Sequence, residues 1–127
     1  MTRICVAGTT GKTSLIHRML YNTFTLQRAR TRFITKYNVN GWEIIEIPDS
    51  EHAKIMRCDI LILACKTQLE VLNLAEQWFG YHKHLFVALV DAPEEQPILC
   101  PEPHIVHIDN MANEGIQQLL HLILTYK

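Results

Sequence analysis

The sequence predicts an α/β domain of three layers with a mostly parallel sheet, and three observations lead there. The apolar runs Asp59–Cys65 and Leu85–Val90 are continuous rather than alternating, as expected of strands covered by helices on both faces. These runs alternate along the chain with segments of helical period, the order that builds a parallel sheet. The first run, Ile4–Ala7, closes on a Gly-rich segment, Gly8-Thr9-Thr10-Gly11-Lys12-Thr13-Ser14, which opens a helical-looking stretch from Ser14 to Tyr21.

The elements follow in order. Asn22 to Arg30 is polar and basic without a period and reads as a mobile loop. Thr31–Val39 and Trp42–Ile47 are β-rich runs separated by Asn40-Gly41. That dipeptide signals a tight hairpin, because both central residues of a type I′ turn need positive φ. Pro48-Asp49-Ser50 ends the second strand, and Glu51–Arg57 reads equally as a helical turn or a loop. After the Asp59–Cys65 strand, a helical pattern starting at Leu69 runs to Phe79, with Gly80 as its terminator. The Leu85–Val90 strand leads into Asp91–Pro103, where four prolines exclude a long helix. Ile105–Ile108 makes a last strand. Asn113–Thr125 makes the final helix, with Ile116, Leu119, Leu120, Ile123 and Leu124 on one face. One antiparallel hairpin thus joins an otherwise parallel sheet, in a single domain spanning residues 1–127.

A strand, a Gly-rich turn and a helix in that order form the setting of a phosphate-binding loop. Backbone N–H groups of the turn face an anion, and the helix adds the positive end of its dipole. Lys12 is placed to reach β- and γ-phosphates and Thr13 to hold Mg²⁺. The motif G-x-x-x-x-G-K-[ST] asks for glycine at position 6, where this chain has Val6. Either Val6 narrows the loop, or the loop no longer holds a nucleotide.

Composition sets the outer bounds. A chain of 127 residues is long enough for one real core. With 48% hydrophobic and 20% charged residues, disordered and fibrous classes drop out. A net charge of −1 gives no electrostatic case for nucleic acid or a membrane as the main partner. Cys5, Cys58, Cys65 and Cys100 are spread without a C-x-x-C and read as reduced, buried residues of a cytoplasmic protein. No signal peptide or membrane-spanning run is expected.

The order of loop, mobile basic segment and hairpin ending in an acidic turn resembles the small Ras-like P-loop GTPases over nearly the whole chain. Within them it is most similar to the short GTPase-like proteins of bacterial ethanolamine and propanediol utilisation, the EutP/PduV group. The phrases carrying this are Gly8–Leu15, Thr25–Thr31, Glu46–Glu51, and Gln117-Gln118-Leu119 in the final helix. The resemblance implies a GTP- or GDP-binding protein with Mg²⁺ as cofactor, ATP remaining open, and a protein partner. The threonine that senses the γ-phosphate through Mg²⁺ falls on Thr31, with Thr25 and Thr23 as alternatives. The D-x-x-G motif falls on Glu46-Ile47-Pro48-Asp49, with a longer carboxylate first and an anionic side chain in place of the glycine that meets the γ-phosphate. Ser50 stands where a glutamine orients the attacking water in that family. His52 is a nearby substitute, or simply a solvated loop histidine.

The base-reading [NT]-K-x-D has shrunk to Val90-Asp91-Ala92-Pro93, leaving Asp91 as the one residue able to grip a base edge. Asp109-Asn110-Met111 replaces the S-A-K-like loop, and the late helix between the last two strands is expected to be missing. The phosphate end is thus kept, while the groups that read the base or perform hydrolysis are altered. That pattern implies a switch or accessory factor with very slow or no intrinsic hydrolysis. The alternative is a pseudo-GTPase that serves only as a protein-interaction scaffold.

Other features have plainer readings. Arg28, Arg30 and Arg32 alternate into the hairpin; Arg30 is a candidate arginine finger acting within the chain, and the plain reading is a solvated, charge-protected edge. His82 and His84 are expected in a turn, and His104 and His107 around the last strand, in neither case with a zinc-binding spacing. Trp42 and Trp78 at element ends read as packing residues.

Overall fold

The computed structural model describes residues 2–8, 11–21, 34–39, 41–47, 56–90, 104–108 and 115–125. Strand β1 (Thr2–Gly8) leads to helix α1 (Lys12–Tyr21), followed by the hairpin β2 (Thr35–Val39) and β3 (Trp42–Glu46). Next come β4 (Cys58–Cys65), α2 (Gln68–Gln77), β5 (His82–Val90), β6 (His104–Ile108) and α3 (Ile116–Thr125). The six strands form one sheet in the order β2-β3-β1-β4-β5-β6. All neighbours are parallel except β2 and β3.

Alternate residues of the central strands enter two separate cores, one on each face of the sheet. Ile4, Val6, Ile60, Ile62, Phe86 and Ala88 pack with Leu15 and Ile16 of α1 and Ile116, Leu119 and Ile123 of α3. Cys5, Ala7, Leu61, Leu63, Val87 and Leu89 pack with Val71 of α2 and with Trp78. Burial on both faces explains why β4 and β5 read as unbroken apolar runs. It also buries Cys5, Cys58 and Cys65, none of which is in a disulfide. The side-chain hydrogen bond with Cys58, reinforced by burial and by the like charge of Cys58, pushes the Cys5 thiol far above the ordinary range.

Local chemistry fixes the ends of the elements. Gly41 has φ 82°, which the turn between β2 and β3 requires and which a side chain disfavours. Thr67 caps α2, its hydroxyl accepting the Glu70 N–H at 3.3 Å, while the Glu70 carboxylate accepts the Lys66 N–H at 3.4 Å. At the far end of that helix, the N–H of Trp78 bonds the Leu74 carbonyl at 3.0 Å and the indole is only 2% exposed.

Several expectations are corrected. Strand β2 starts at Thr35, and residues 31–33 lie outside the described set. Helix α2 ends at Gln77 rather than Phe79, which is 83% exposed. His82 and His84 belong to β5, not to a turn, because the β4 register pairs Cys58 with His82 and Ile60 with His84. His104 and His107 are both residues of β6. Leu124 is 57% exposed although its spacing places it with the buried stripe of α3. The stretches 22–30, 51–55, 91–103 and 109–114 lie outside the described residues, and with them the expected mobile loop, the undecided turn and the missing late helix. Among the described residues no helix is long and apolar enough to cross a membrane.

Trp78 closes the core between α2 and the sheet, so Trp78→Ala is expected to cost about 3–5 kcal/mol. Urea unfolding would show this as a lower midpoint with unchanged slope; a loss below about 1 kcal/mol would contradict the packing described.

Candidate functional site

The site grows from the carboxyl end of β1. Its parallel partners bracket it there, with Val6 opposite Glu46 of β3 and Gly8 opposite Ala64 of β4. The Val6 carbonyl accepts the Ile47 N–H at 2.9 Å, which holds the end of β3 against β1. Val6 itself is fully buried in the core beneath α1 and α3. It fills core space while still in the strand.

Gly8 is the glycine the geometry requires. Its φ is 141°, and a Cβ there would lie 1.9 Å from the Ala64 carbonyl oxygen. The backbone therefore leaves β1 in contact with β4, an approach that no side chain permits. The chain returns at Gly11, whose φ is 70° and whose carbonyl accepts the Leu15 N–H at 2.9 Å, the first helical bond of α1. Helix α1 thus begins at Lys12, two residues before the helical pattern predicted from the sequence. Lys12, Thr13 and Ser14 form its first turn, where N–H groups of any α-helix lack intrahelical acceptors and the dipole is positive.

Two charged side chains are buried at this corner, Lys12 at 7% exposure and Glu46 at 1%. Burying a charge without partners costs several kcal/mol, so both must be held. The Lys12 ammonium donates to the Gly8 carbonyl, four residues earlier in the chain, at 2.8 Å. The Thr13 hydroxyl donates to Glu46 Oε2 at 2.6 Å, joining residues 33 positions apart. The other carboxylate oxygen, Oε1, lies 3.4 Å from the donating Tyr37 hydroxyl. Burial, reinforced by the Glu46 charge, raises the Tyr37 phenol above its usual pKa and keeps it a donor.

Of the residues predicted from the sequence, the structure brings together Gly8, Gly11, Lys12, Thr13, Ser14 and Glu46. Thr9, Thr10, Arg30, Thr31, Ser50, His52 and Asp91 lie outside the described residues. Thr13 Oγ1 and Glu46 Oε2 are hard oxygen donors side by side, the donor chemistry that Mg²⁺ takes, so this pair fits the cation expected of it. Tyr37 was missed. The Asn-Gly hairpin held the signal, because its register pairs Tyr37 with Ile44 and so sets it diagonally across from Glu46 on the same face.

An apolar cavity of about 360 Å³ lies elsewhere, lined by Ile4, Met19, Trp42, Leu120 and Leu124 among others. Trp42 pairs with Thr2 at the start of β1, so this cavity opens at the opposite end of the strand from the loop. Comparison with known proteins identifies no relative: no protein-family model and no curated protein matches the chain.

The Gly8–Ala64 contact is directly testable. Gly8→Ala combines a disfavoured φ with overlap against backbone, which cannot move aside as a side chain would, and is expected to cost at least about 3 kcal/mol. Thermal melting would report it, and an unchanged melting temperature would refute the close approach.

Proposed function

We propose that this chain is an atypical nucleotide-binding protein of the Ras-like P-loop type. It binds a nucleoside di- or triphosphate with Mg²⁺ and acts as a switch or accessory factor with very slow or no hydrolysis of its own. The observation that carries the reading is the Thr13–Glu46 hydrogen bond beside the buried Lys12. A cation-binding hydroxyl, an acidic residue at the end of the neighbouring strand and a lysine folded over a Gly-rich turn are the three protein groups that a Mg²⁺-phosphate site needs.

Each group then has a defined task. Lys12 leaves the Gly8 carbonyl for phosphate oxygens, and the start of α1 adds its dipole to the same anion. Thr13 and Glu46 hold Mg²⁺, which neutralises phosphate charge. The parallel sheet supports the reading, since ligands of such sheets bind outside the carboxyl ends of the strands, where Gly8 and Glu46 both end theirs. GTP or GDP is the preferred ligand by resemblance, with ATP as competitor. Weak turnover follows from the changed sequence around Asp49, Ser50 and Asp91. A protein partner is expected to read the bound state.

A second reading, a pseudo-GTPase that keeps the scaffold only for protein contacts, draws on one observation. Lys12 and Thr13 are both engaged by the protein itself, through Gly8 and Glu46. On this reading, those internal contacts take the place of a ligand.

The two readings part on one substitution. Lys12→Ala is expected to weaken Mg²⁺-GTP and Mg²⁺-GDP binding by roughly two orders of magnitude, the scale of losing a charged hydrogen-bond donor at a desolvated site. Calorimetric titration beside the wild type measures this, with circular dichroism confirming that both are folded. Equal, negligible heats from two folded proteins would support the scaffold reading and overturn nucleotide binding.

A further inference from the structure

We propose that Tyr37 is a positioning residue for the Thr13–Glu46 cation site, holding the outer oxygen of the Glu46 carboxylate so that the inner one stays on Thr13. The inference rests on the Mg²⁺-nucleotide reading of that site and adds to it a residue from the edge strand.

Glu46 has one more rotatable bond than the aspartate that the resemblance puts at this position, so its carboxylate needs an additional restraint to present the same oxygen each time. At 1% exposure it has no bulk water to provide one. Its two oxygens are held from two different elements, Oε2 by Thr13 on helix α1 and Oε1 by Tyr37 on strand β2. Tyr37 is itself braced. Its ring meets the edge of His17 at a centroid distance of 6.2 Å and an interplanar angle of 82°. His17 also meets Tyr21, at 5.9 Å and 65°. His17 lies one helical turn after Thr13, so both ends of Tyr37 are referred to the helix and strand that carry the cation donors. The backbone adds the last restraint, since the antiparallel register sets Tyr37 opposite Ile44, two residues before Glu46.

Partners of this kind, bonded to a ligating carboxylate rather than to the metal, typically change metal affinity ten- to a hundredfold when removed. At 3.4 Å the hydroxyl contact is a long one, so the effect belongs at the lower end of that range.

The test uses wild type, Tyr37→Phe, Glu46→Asp and the double variant, with Mg²⁺ titrated into protein saturated with GTP. Affinity for GTP in excess EDTA is measured alongside. Tyr37→Phe keeps the ring on His17 and removes only the hydroxyl. It is expected to weaken Mg²⁺ binding about tenfold while leaving GTP binding in EDTA unchanged. In the Glu46→Asp background, where the shortened carboxylate no longer reaches the hydroxyl, the same substitution is expected to add nothing.

Unchanged Mg²⁺ affinity in Tyr37→Phe overturns the inference, as does an equal loss in both backgrounds, which would mark a general structural role. Wild type that takes up GTP without regard to Mg²⁺ overturns it by removing the cation site while leaving nucleotide binding intact. Wild type that binds no GTP under either condition overturns the underlying reading, and the inference with it.

Discussion

Strand β1 is hydrogen-bonded in parallel to β3 on one side and to β4 on the other, and the candidate site follows from that pairing. Register with β3 puts Glu46 opposite Val6, just short of the loop. Register with β4 puts Gly8 against Ala64, where only a glycine fits. A slip of one residue in the β1–β3 ladder would reverse which face each side chain of β3 meets and separate Glu46 from Thr13. The two cores lock both registers, because every residue of β1 from Ile4 to Ala7 is buried on one face or the other. The apolar interior of the sheet thereby fixes the position of its most polar corner.

That corner works against the rest of the fold. A lysine and a glutamate, both nearly inaccessible to water, are groups that a purely structural domain gains little by burying. The structure satisfies them locally, with a backbone carbonyl for the ammonium and two hydroxyls for the carboxylate. Leaving either charge without its partner would be expensive, so the loop, the helix start and the β2–β3 hairpin are bound to one another energetically as well as sterically. An anion arriving at Lys12 and a cation arriving at Glu46 would each exchange an internal partner for a ligand. Under the proposed reading, the same contacts would serve a ligand-free resting state and a loaded one.

Much of this was legible in the sequence where one residue type answers to one physical demand. The apolar runs gave β1, β4 and β5, and the Asn-Gly pair gave the hairpin. The sequence misled where a residue serves two demands. Val6 breaks the loop motif because it is still a strand residue filling the core under α1. His82, Lys83 and His84 look like a turn because they are polar, yet they extend β5; the Lys83 ammonium lies 3.4 Å from Asp59 on the adjacent strand. Leu124 fits the helical period of α3 but sits at its exposed end. Tyr37 was missed because its partner is nine residues away across a hairpin, where the pairing register rather than sequence spacing brings them together.

If Thr13 and Glu46 hold the cation of a bound nucleotide, a paramagnetic substitute for that cation would sit beside them. Mn²⁺ takes the same oxygen ligands as Mg²⁺ and broadens the signals of nearby amides. Amide spectra of the isotopically labelled protein, recorded with Mg²⁺-GTP and then with traces of Mn²⁺, would map where the ion sits. The account predicts broadening centred on Thr13, Ser14, Glu46 and Ile47. Broadening centred elsewhere, or spectra that no nucleotide perturbs, would contradict it.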